Sequence, residues 1–256
     1  MNIRLYFLGT GAAVPIGKRG LPCIALKVDG DIYLFDAGEG CQYRLFKAGL
    51  GVVKIKTIFI THLHGDHFLG LFGMLQSMHM LNKETPLSIY GPRELENMIK
   101  TFLPYGLEKL GFDISFGEIN EWSEVYRDDN IIVTSYPVKH GTIKSFGFIV
   151  DVQKRIRKRI VYTGDTCPID TVVEASRNAN ILIHESTFTS EYREEALKQG
   201  HSTAADAALA AQKANVDLLV LTHISARYDD DYDLFIDAYR FFKNVIVAQD
   251  YMSLIL

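Results

Sequence analysis

Thr61-His62-Leu63-His64-Gly65-Asp66-His67 is the stretch that decides the fold, because it places three imidazoles and one carboxylate in one short segment. Alternate residues of an extended segment point to the same side, so His62 and His64 can bind one metal ion. Asp66 and His67 follow the flexible Gly65 and can turn toward a second ion. The alternative is a polar surface loop, but the chain has only 8 histidines and three of them lie here.

The ligand types at this segment restrict the metal without fixing it. Imidazole together with carboxylate suits zinc, and it also suits manganese or iron. The three cysteines, Cys23, Cys41 and Cys167, lie far apart and form no CxxC pair. Neither a thiolate zinc site nor a disulfide framework is therefore expected, which favours a reducing compartment.

Composition limits the classes of protein to which the chain can belong. The 256 residues are 48% hydrophobic and 23% charged, as in globular proteins with a full core. The net charge of −4 provides no overall attraction for nucleic acid, so an RNA substrate would need a local basic patch. The chain begins without the apolar core of a signal peptide, and no apolar run is long enough to span a bilayer. We expect a cytoplasmic enzyme without membrane contact.

Predicted strands and helices alternate along the whole chain, with no repeat or low-complexity linker. The simplest interpretation is one domain over residues 1–256, with two sheets enclosed by helices. The helices are predicted at Phe68–Leu81, from Pro92 to about Leu103, after Pro168, and after the capping residues Ser202-Thr203. The strands are predicted at Ile3–Leu8, Cys23–Val28, Ile32–Phe35, Lys56–Ile60, Leu87–Tyr90, Ile114–Phe116, Ile131–Tyr136, Phe146–Val152, Arg159–Tyr162, Ile181–Ile183, Leu218–Leu221 and Val245–Val247.

Four of these apolar strands are followed at once by residues able to bind a metal. The residues are His62, Asp165, the pair His184-Glu185, and His223. In layered α/β folds, ligands and catalytic groups gather where strands end and loops begin. The pattern predicts one polar cleft formed by several strand ends.

The motifs of the chain resemble those of a known family. The segment from His62 to His67 is similar to the HxHxDH signature of the metallo-β-lactamase superfamily. Further segments follow in the order typical of its ribonuclease Z branch. They are Gly9-Thr10-Gly11, Asp36-Ala37-Gly38-Glu39-Gly40, Gly91-Pro92, Thr163-Gly164-Asp165-Thr166, His184-Glu185-Ser186-Thr187, Gly200-His201-Ser202-Thr203 and His223-Ile224-Ser225-Ala226-Arg227-Tyr228. The resemblance implies an α/β fold, the four-layer αββα metallo-β-lactamase fold with two mixed sheets sandwiched between helices.

The resemblance also implies a set of metal ligands and a subunit arrangement. It assigns His62, His64 and His140 to one divalent ion, and Asp66, His67 and His223 to a second. Asp165 would bridge the two. His140 also suits a ligand by its position, because it follows a predicted strand and precedes Gly141. Members of the family are commonly homodimers, so a homodimer is expected.

The expected chemistry is hydrolysis of a phosphodiester, since two close metal ions can clamp such a group for in-line displacement. Asp66 is expected to orient the attacking water and take its proton. By the resemblance, Glu185 and His201 form the pair that supplies a proton to the leaving group. The alternative for His201 is a helix-capping role. Asp36 is expected to support a metal-binding loop by hydrogen bonds rather than to touch the metal.

One departure from the family concerns the segment between His140 and Asp165. Most bacterial and archaeal members carry a long arm there that grips tRNA, whereas only 24 residues separate the two positions here. The segment contains the basic run Lys154-Arg155-Ile156-Arg157-Lys158-Arg159. This run is either a short phosphate-binding finger or a solvated hairpin turn.

Three functions remain open at this point. The first is an endonuclease that processes the 3′ end of precursor tRNA, as ribonuclease Z does. The second is an arm-less phosphodiesterase of the same fold acting on small or cyclic phosphodiesters. The third is a non-catalytic, metal-stabilised binding protein, against which the additional pair Glu185 and His201 argues.

Overall fold

The computed structural model describes residues 3–15, 18–106, 110–154 and 157–256, with residues 105 and 106 described by their backbone alone. The chain forms two compact units. The first unit comprises Met1–Asn120 and Gln249–Leu256, and the second comprises Glu121–Ala248. None of the helices in the described part of the chain combines the length and the hydrophobicity of a membrane-spanning segment.

The described residues form strands and helices in alternation. The strands are β1 (Ile3–Gly9), β2 (Cys23–Val28), β3 (Asp31–Phe35), β4 (Ile55–Phe59), β5 (Leu87–Gly91), β6 (Ile114–Glu118), β7 (Ser123–Arg127), β8 (Ile131–His140), β9 (Ile143–Val152), β10 (Lys158–Tyr162), β11 (Ile181–Glu185), β12 (Leu218–Thr222), β13 (Val245–Val247) and β14 (Met252–Ile255). The α-helices are α1 (Cys41–Lys47), α2 (Gly65–Phe68), α3 (Gly70–Met80), α4 (Arg93–Gly106), α5 (Asp170–Ala175), α6 (Arg193–Gln199), α7 (Ala204–Ala214) and α8 (Tyr232–Tyr239). Short 3-10 turns lie at Val52–Lys54 and Ser190–Tyr192.

The first unit contains a mixed sheet in the order β14-β1-β2-β3-β4-β5-β6. Strands β14 to β3 pair antiparallel, and β3 to β6 pair parallel. Asp29 has a φ of 53° in the turn between β2 and β3, as a tight hairpin requires. Apolar side chains of β2 to β5 pack against Leu71, Met74 and Met78 of α3 in one buried core. This packing fixes the end of β4, from which the loop Ile60–His64 leads into α2.

The second unit contains a mixed sheet in the order β13-β12-β11-β10-β9-β8-β7. Strands β7 to β10 pair antiparallel and β10 to β13 pair parallel. Because β10, β11 and β12 run in the same direction, their carboxyl ends meet at one edge of the sheet. The alanine-rich α7 packs in the core of this unit. Its N-terminus is closed by a capping box, in which Thr203 and Asp206 satisfy each other's backbone N–H groups.

The sequence predicts most of these elements, and the differences have physical causes. Helical backbone begins at Gly65, before the predicted start at Phe68, because His67 N–H donates to the carbonyl of His64 at 2.9 Å. The expected stop before Pro104 is wrong, since α4 continues to Gly106; a proline in the last turn removes only one helical hydrogen bond. His140 is the last residue of β8 rather than part of the following loop.

The segment between His140 and Asp165 forms a β-hairpin in place of an arm. Strands β9 and β10 pair antiparallel, with Asp151 opposite Arg159. Arg155 and Ile156, which belong to the basic run, lie outside the described residues. The two mixed sheets with their helices confirm the predicted fold class. The single hydrolase domain over residues 1–256 stays a prediction.

Candidate metal-binding clusters

The loop after β4 brings four predicted ligands of the first unit together. The ring centroids of His62 and His64 are 4.8 Å apart, and those of His62 and His67 are 4.1 Å apart. Asp66 Oδ2 lies 3.7 Å from His67 Nε2 and accepts a hydrogen bond of 2.9 Å from the backbone N–H of Ala13. We call His62, His64, Asp66 and His67 the first-unit cluster.

Two glycines allow the segment around Asp36 to pack against this cluster. A Cβ atom at Gly38 would lie 2.3 Å from the carbonyl oxygen of Asp66. A Cβ atom at Gly70 would lie 2.0 Å from the carbonyl oxygen of Gly38. Only glycine fits at such close backbone approaches, which explains the Asp-Ala-Gly segment in structural terms.

Asp36 holds the first-unit cluster in place from a fully buried position. It has a φ of 59°, a left-handed conformation that is uncommon outside glycine. Its Oδ2 atom lies 2.8 Å from His67 Nδ1, and its Oδ1 atom accepts a hydrogen bond of 2.8 Å from Thr61 N–H. The Thr61 hydroxyl lies 3.0 Å from both carboxylate oxygens and 3.0 Å from His62 Nδ1. The supporting role predicted for Asp36 agrees with these contacts.

The second unit collects Asp165, His140 and His223, which we call the second-unit cluster. Asp165 Oδ2 lies 3.8 Å from His140 Nε2, and Asp165 Oδ1 lies 3.4 Å from His223 Nε2. His140 Nδ1 donates to the carbonyl oxygen of Gly200 at 2.8 Å, because a carbonyl can only accept. In the neutral ring the lone pair is therefore on Nε2, the atom that faces Asp165.

Glu185 has in the second unit the position that Asp36 has in the first. Its Oε1 atom lies 2.8 Å from His201 Nδ1, and its Oε2 atom accepts a hydrogen bond of 2.9 Å from the Thr187 hydroxyl. The backbone N–H groups of Thr166, Thr187 and Ser202 also donate to it, each at 3.1 Å. A buried carboxylate with five hydrogen-bond donors is held in one orientation.

The electrostatic environment keeps Glu185 ionised. Burial raises the pKa of the Glu185 carboxyl, but the charge of His201 and the hydrogen bond from it lower the pKa, and the net result is a pKa below the usual range. The Thr187 hydroxyl lies 2.8 Å from His223 Nδ1, so Glu185 is connected to a ligand-type histidine as well as to His201. The alternative in which His201 caps a helix is wrong, since Thr203 occupies the cap of α7.

The donor atoms of each cluster suit a divalent metal ion. Imidazole nitrogens and carboxylate oxygens are the ligands that zinc and related ions take in catalytic sites. The ligand atoms of Asp165, His201 and His223 all lie within 4.8 Å of one another, so His201 is also within reach of an ion in the second unit. Sequence reasoning gave no individual role to Thr61 or Thr187, whose hydroxyls contact the imidazoles. The sequence signal for each is its place in a quoted motif, because Thr61 directly precedes His62 and Thr187 lies two residues after Glu185.

Comparison with known proteins identifies the family. Residues 32–224 match the Beta-lactamase superfamily domain, a range that contains all the ligand-type residues described above. Ribonuclease Z of Sulfurisphaera tokodaii is 37% identical, with 96% of each chain covered. The chain belongs to the ribonuclease Z family. Ribonuclease Z of Archaeoglobus fulgidus is similarly related, with 34% identity over 99% of this chain and 98% of the relative.

A solved structure supports the same assignment for this ribonuclease Z-family chain. Human tRNase Z, short form, is 33% identical, with a TM-score of 0.84 and 98% of each chain covered. The predicted resemblance, the metallo-β-lactamase fold and the prediction of a hydrolytic enzyme are confirmed. This fold and its His/Asp residues support the binding of divalent metal ions. The alignments to these two ribonuclease Z relatives extend over 291 and 302 positions, more than the 256 residues of this chain, so those relatives contain segments that it lacks.

Proposed function

We propose that this chain is a two-metal endoribonuclease that cleaves precursor tRNA at its 3′ side. The observation that carries the proposal is the buried pair Glu185 and His201, whose atoms Oε1 and Nδ1 lie 2.8 Å apart. His201 is not among the assigned metal ligands, so a carboxylate that fixes its ring orientation points to proton transfer to a leaving group. The names of the relatives add support, since they are ribonuclease Z and human tRNase Z.

The proposed metal ligands are those that the resemblance assigns, and the proposed domain organisation is one hydrolase domain over residues 1–256. His62, His64 and His140 are assigned to one ion and Asp66, His67 and His223 to the other, with Asp165 shared. Zinc is the proposed metal because imidazole predominates among these ligands, and manganese or iron would satisfy the same donors. The proposal is supported by the buried contacts that orient these imidazoles. The Asp36 carboxylate contacts His67, and the hydroxyls of Thr61 and Thr187 contact His62 and His223.

The proposed mechanism divides the chemistry between metal and protein. When bound, the two ions supply the positive charge that activates a water molecule and stabilises charge on the phosphate. Asp66 is held by the backbone N–H of Ala13 and orients the water. His201 donates its Nδ1 hydrogen to Glu185, so its other ring nitrogen is directed away from the carboxylate for proton transfer.

The solvent exposure of the two side chains agrees with different roles for His201 and Glu185. The His201 side chain is 13% exposed, whereas that of Glu185 is 1% exposed. A group that transfers a proton to a leaving oxygen must reach the substrate, while a group that orients it does not. We therefore assign proton transfer to His201 and its orientation to Glu185.

A second candidate keeps the chemistry and changes the substrate. The hairpin of β9 and β10 replaces the arm that most bacterial and archaeal family members use to grip tRNA. Without that arm, small or cyclic phosphodiesters become a reasonable substrate class. The basic residues of the hairpin favour RNA instead, because they would contact backbone phosphates.

The partners and compartment follow from the same proposal. RNA, or else a small phosphodiester, is the proposed substrate, and a homodimer is the proposed assembly. The cytoplasm is the proposed compartment, which is supported by the free state of Cys23, Cys41 and Cys167, because disulfides form in oxidising compartments.

The decisive experiment offers two substrates to the same zinc-loaded protein. One is a precursor tRNA with a 3′ extension and the other is a small chromogenic phosphodiester. Cleavage of the precursor at a single 3′ position, abolished by chelation, supports the proposal. Turnover of the small substrate alone assigns the second candidate, and metal binding without turnover of either assigns a binding protein.

A further inference from the structure

Two threonine hydroxyls occupy equivalent positions in the two units. Thr61 Oγ1 lies 3.0 Å from Asp36 Oδ1, 3.0 Å from Asp36 Oδ2 and 3.0 Å from His62 Nδ1. Thr187 Oγ1 lies 2.9 Å from Glu185 Oε2 and 2.8 Å from His223 Nδ1. Each hydroxyl thus connects a buried carboxylate to an imidazole.

The hydrogen-bonding capacity of these groups fixes the direction of each contact. A hydroxyl has one hydrogen to donate, and an ionised carboxylate can only accept. Thr61 therefore donates to Asp36, and Thr187 donates to Glu185. Each hydroxyl oxygen is left as an acceptor, so the imidazole must donate its Nδ1 hydrogen to it. In the neutral form, which is the form that binds a metal, His62 and His223 then carry their lone pair on Nε2.

We propose that Thr61 and Thr187 are positioning residues that fix the tautomer and the ring orientation of His62 and His223 for metal binding. The inference rests on the proposed function, in which these two histidines are metal ligands. A metal-binding imidazole needs a partner for its other ring nitrogen, and that partner is commonly a carboxylate or a carbonyl. Here a threonine hydroxyl lies between the carboxylate and the imidazole, so the carboxylate orients the ring through the hydroxyl.

This arrangement lets one carboxylate orient two imidazoles. Asp36 contacts His67 directly and His62 through Thr61. In the same way, Glu185 contacts His201 directly and His223 through Thr187. Replacing Asp36 or Glu185 would therefore disturb two histidines at once. Replacing a threonine removes the indirect contact and leaves the 2.8 Å contacts of His67 and His201 with the carboxylates in place. The hydroxyls also lie 3.4 Å from His67 Nδ1 and 3.3 Å from His201 Nδ1, longer contacts than those with the carboxylates.

Valine is a suitable replacement because it keeps the shape and removes only the hydroxyl. The backbone N–H of Thr61 donates to Asp36 Oδ1 at 2.8 Å, and that of Thr187 donates to Glu185 Oε2 at 3.1 Å. Both backbone contacts are available to valine. Serine keeps the hydroxyl and removes the methyl group, so it should restore the function of each position.

The chain offers matched controls in the same two units. The hydroxyls of Thr57 in β4 and of Ser176 after α5 are buried and have no hydrogen-bond partner within the described residues. Thr57→Val and Ser176→Ala therefore remove a buried hydroxyl of each unit without touching a histidine. Both control variants should behave as the unchanged protein does.

The first measurement records the imidazole tautomers by ¹⁵N NMR in metal-free protein. We expect His62 and His223 to be protonated at Nδ1 in the unchanged protein. Thr61→Val should remove this preference at His62 alone, and Thr187→Val at His223 alone. The two variants serve as controls for each other, and either one decides the question if the other fails to fold.

The second measurement is zinc affinity, determined by competition with a chelator. Each valine variant should bind zinc about 10- to 100-fold more weakly, and each serine variant should bind as the unchanged protein does. Valine variants with unchanged tautomers and unchanged zinc affinity would overturn the inference. An unchanged protein that binds no zinc would overturn the proposed function, and the NMR result, which needs no metal, would still decide the role of the threonines in holding the tautomers.

Discussion

His140 Nδ1 donates a hydrogen bond of 2.8 Å to the carbonyl oxygen of Gly200, sixty residues further along the chain. Gly200 ends α6 with a φ of 85°, a left-handed conformation. A Cβ atom at this position would lie 2.7 Å from Gly141 N and 3.0 Å from His140 Nδ1. One glycine therefore ends a helix and orients a predicted metal ligand.

Gly200→Ala should weaken both folding and zinc binding. The left-handed backbone costs an L-residue about 1–2 kcal/mol, and the contact with His140 adds to this cost. Zinc affinity should fall about 10-fold or more because the partner of Nδ1 is displaced. Denaturant unfolding of the metal-free protein and chelator competition measure the two effects separately.

Gly49→Ala is the matched control for that variant. Gly49 has a φ of 70°, and a Cβ atom there would meet nothing within 4 Å. Gly49→Ala should lower the free energy of unfolding by the cost of the left-handed backbone alone and leave zinc affinity unchanged. Equal zinc affinity in both variants would contradict the role assigned to the Gly200 carbonyl.

His201→Ala should lower turnover by about 10²- to 10⁴-fold and leave the metal content near that of the unchanged protein. The reason is that His201 is assigned to proton transfer, with its Nδ1 hydrogen held by Glu185. Metal analysis and single-turnover cleavage, carried out on the same preparations, compare the metal content and the turnover of the variant with those of the unchanged protein. The test is demanding because the ligand atoms of His201, Asp165 and His223 lie within 4.8 Å of one another. Loss of one equivalent of metal would make His201 a ligand instead.

Local pattern predicts two sheets enclosed by helices and a polar cleft at strand ends, whereas the metallo-β-lactamase fold class and the ligand set come from the resemblance to a family. Apolar strands that are followed by His62, Asp165, the pair His184-Glu185 or His223 identify the edge of a sheet where polar groups gather. The individual roles of Thr61 and Thr187 could not be predicted in the same way. A buried threonine with an orienting hydroxyl and one that merely packs have the same sequence pattern, as Thr57 shows. The difference lies in contacts with residues distant in sequence, such as Asp36.

Of the four edge strands in the described sheets, the sequence predicts β6 and β13, whereas β7, β14 and helix α6 have no clear sequence pattern. Strand β7 and strand β14 lie at sheet edges, where only one neighbour and one buried face shape the pattern. Helix α6 is seven residues long and exposes most of its side chains, so its apolar periodicity is weak. Tertiary packing, rather than local propensity, determines these elements.

The buried ammonium of Lys83 should make the stability of the folded protein depend on pH, independently of catalysis. The residue is 2% exposed, and its ammonium donates to the carbonyl of Ile55 at 2.9 Å and to the Thr85 hydroxyl at 2.7 Å. Burial, together with the charge of Lys54, lowers the pKa of Lys83 from 10.5 to about 8. Between these two pH values the unfolded chain binds more protons than the folded one, so this residue makes the protein more stable as the pH rises.

Comparison with Lys83→Met isolates this contribution. The free energy of unfolding of the unchanged protein, minus that of the variant, should increase from about pH 8 toward pH 10. The slope should not exceed about 1.4 kcal/mol per pH unit, since one group titrates. Denaturant unfolding of metal-free samples at several pH values measures it. Parallel stability curves for the two proteins would show that the ammonium is not destabilised by burial.

The basic run of the β9–β10 hairpin provides the test of RNA binding. Arg159 is already engaged, with Nε and one terminal nitrogen donating to Asp151 at 2.8 and 2.9 Å across the hairpin. Lys154, Arg157 and Lys158, with Arg155 outside the described residues, are therefore the positions to neutralise. If they contact phosphates, their replacement by glutamine should weaken binding of precursor tRNA. It should also lower the slope of log affinity against log salt by about 0.7–0.9 for each phosphate that is no longer neutralised.

The small chromogenic phosphodiester separates this effect from damage to the site. Its hydrolysis should be unchanged in the neutralised variant, because it needs only the metal ions and their neighbours. Arg159→Gln is the comparison variant, since it breaks the cross-strand pair with Asp151 and should reduce both activities by loosening the strand that leads to Asp165. An unchanged salt slope in the neutralised variant would mean that the basic run is a solvated turn. An RNA substrate would then bind to a surface other than the basic run.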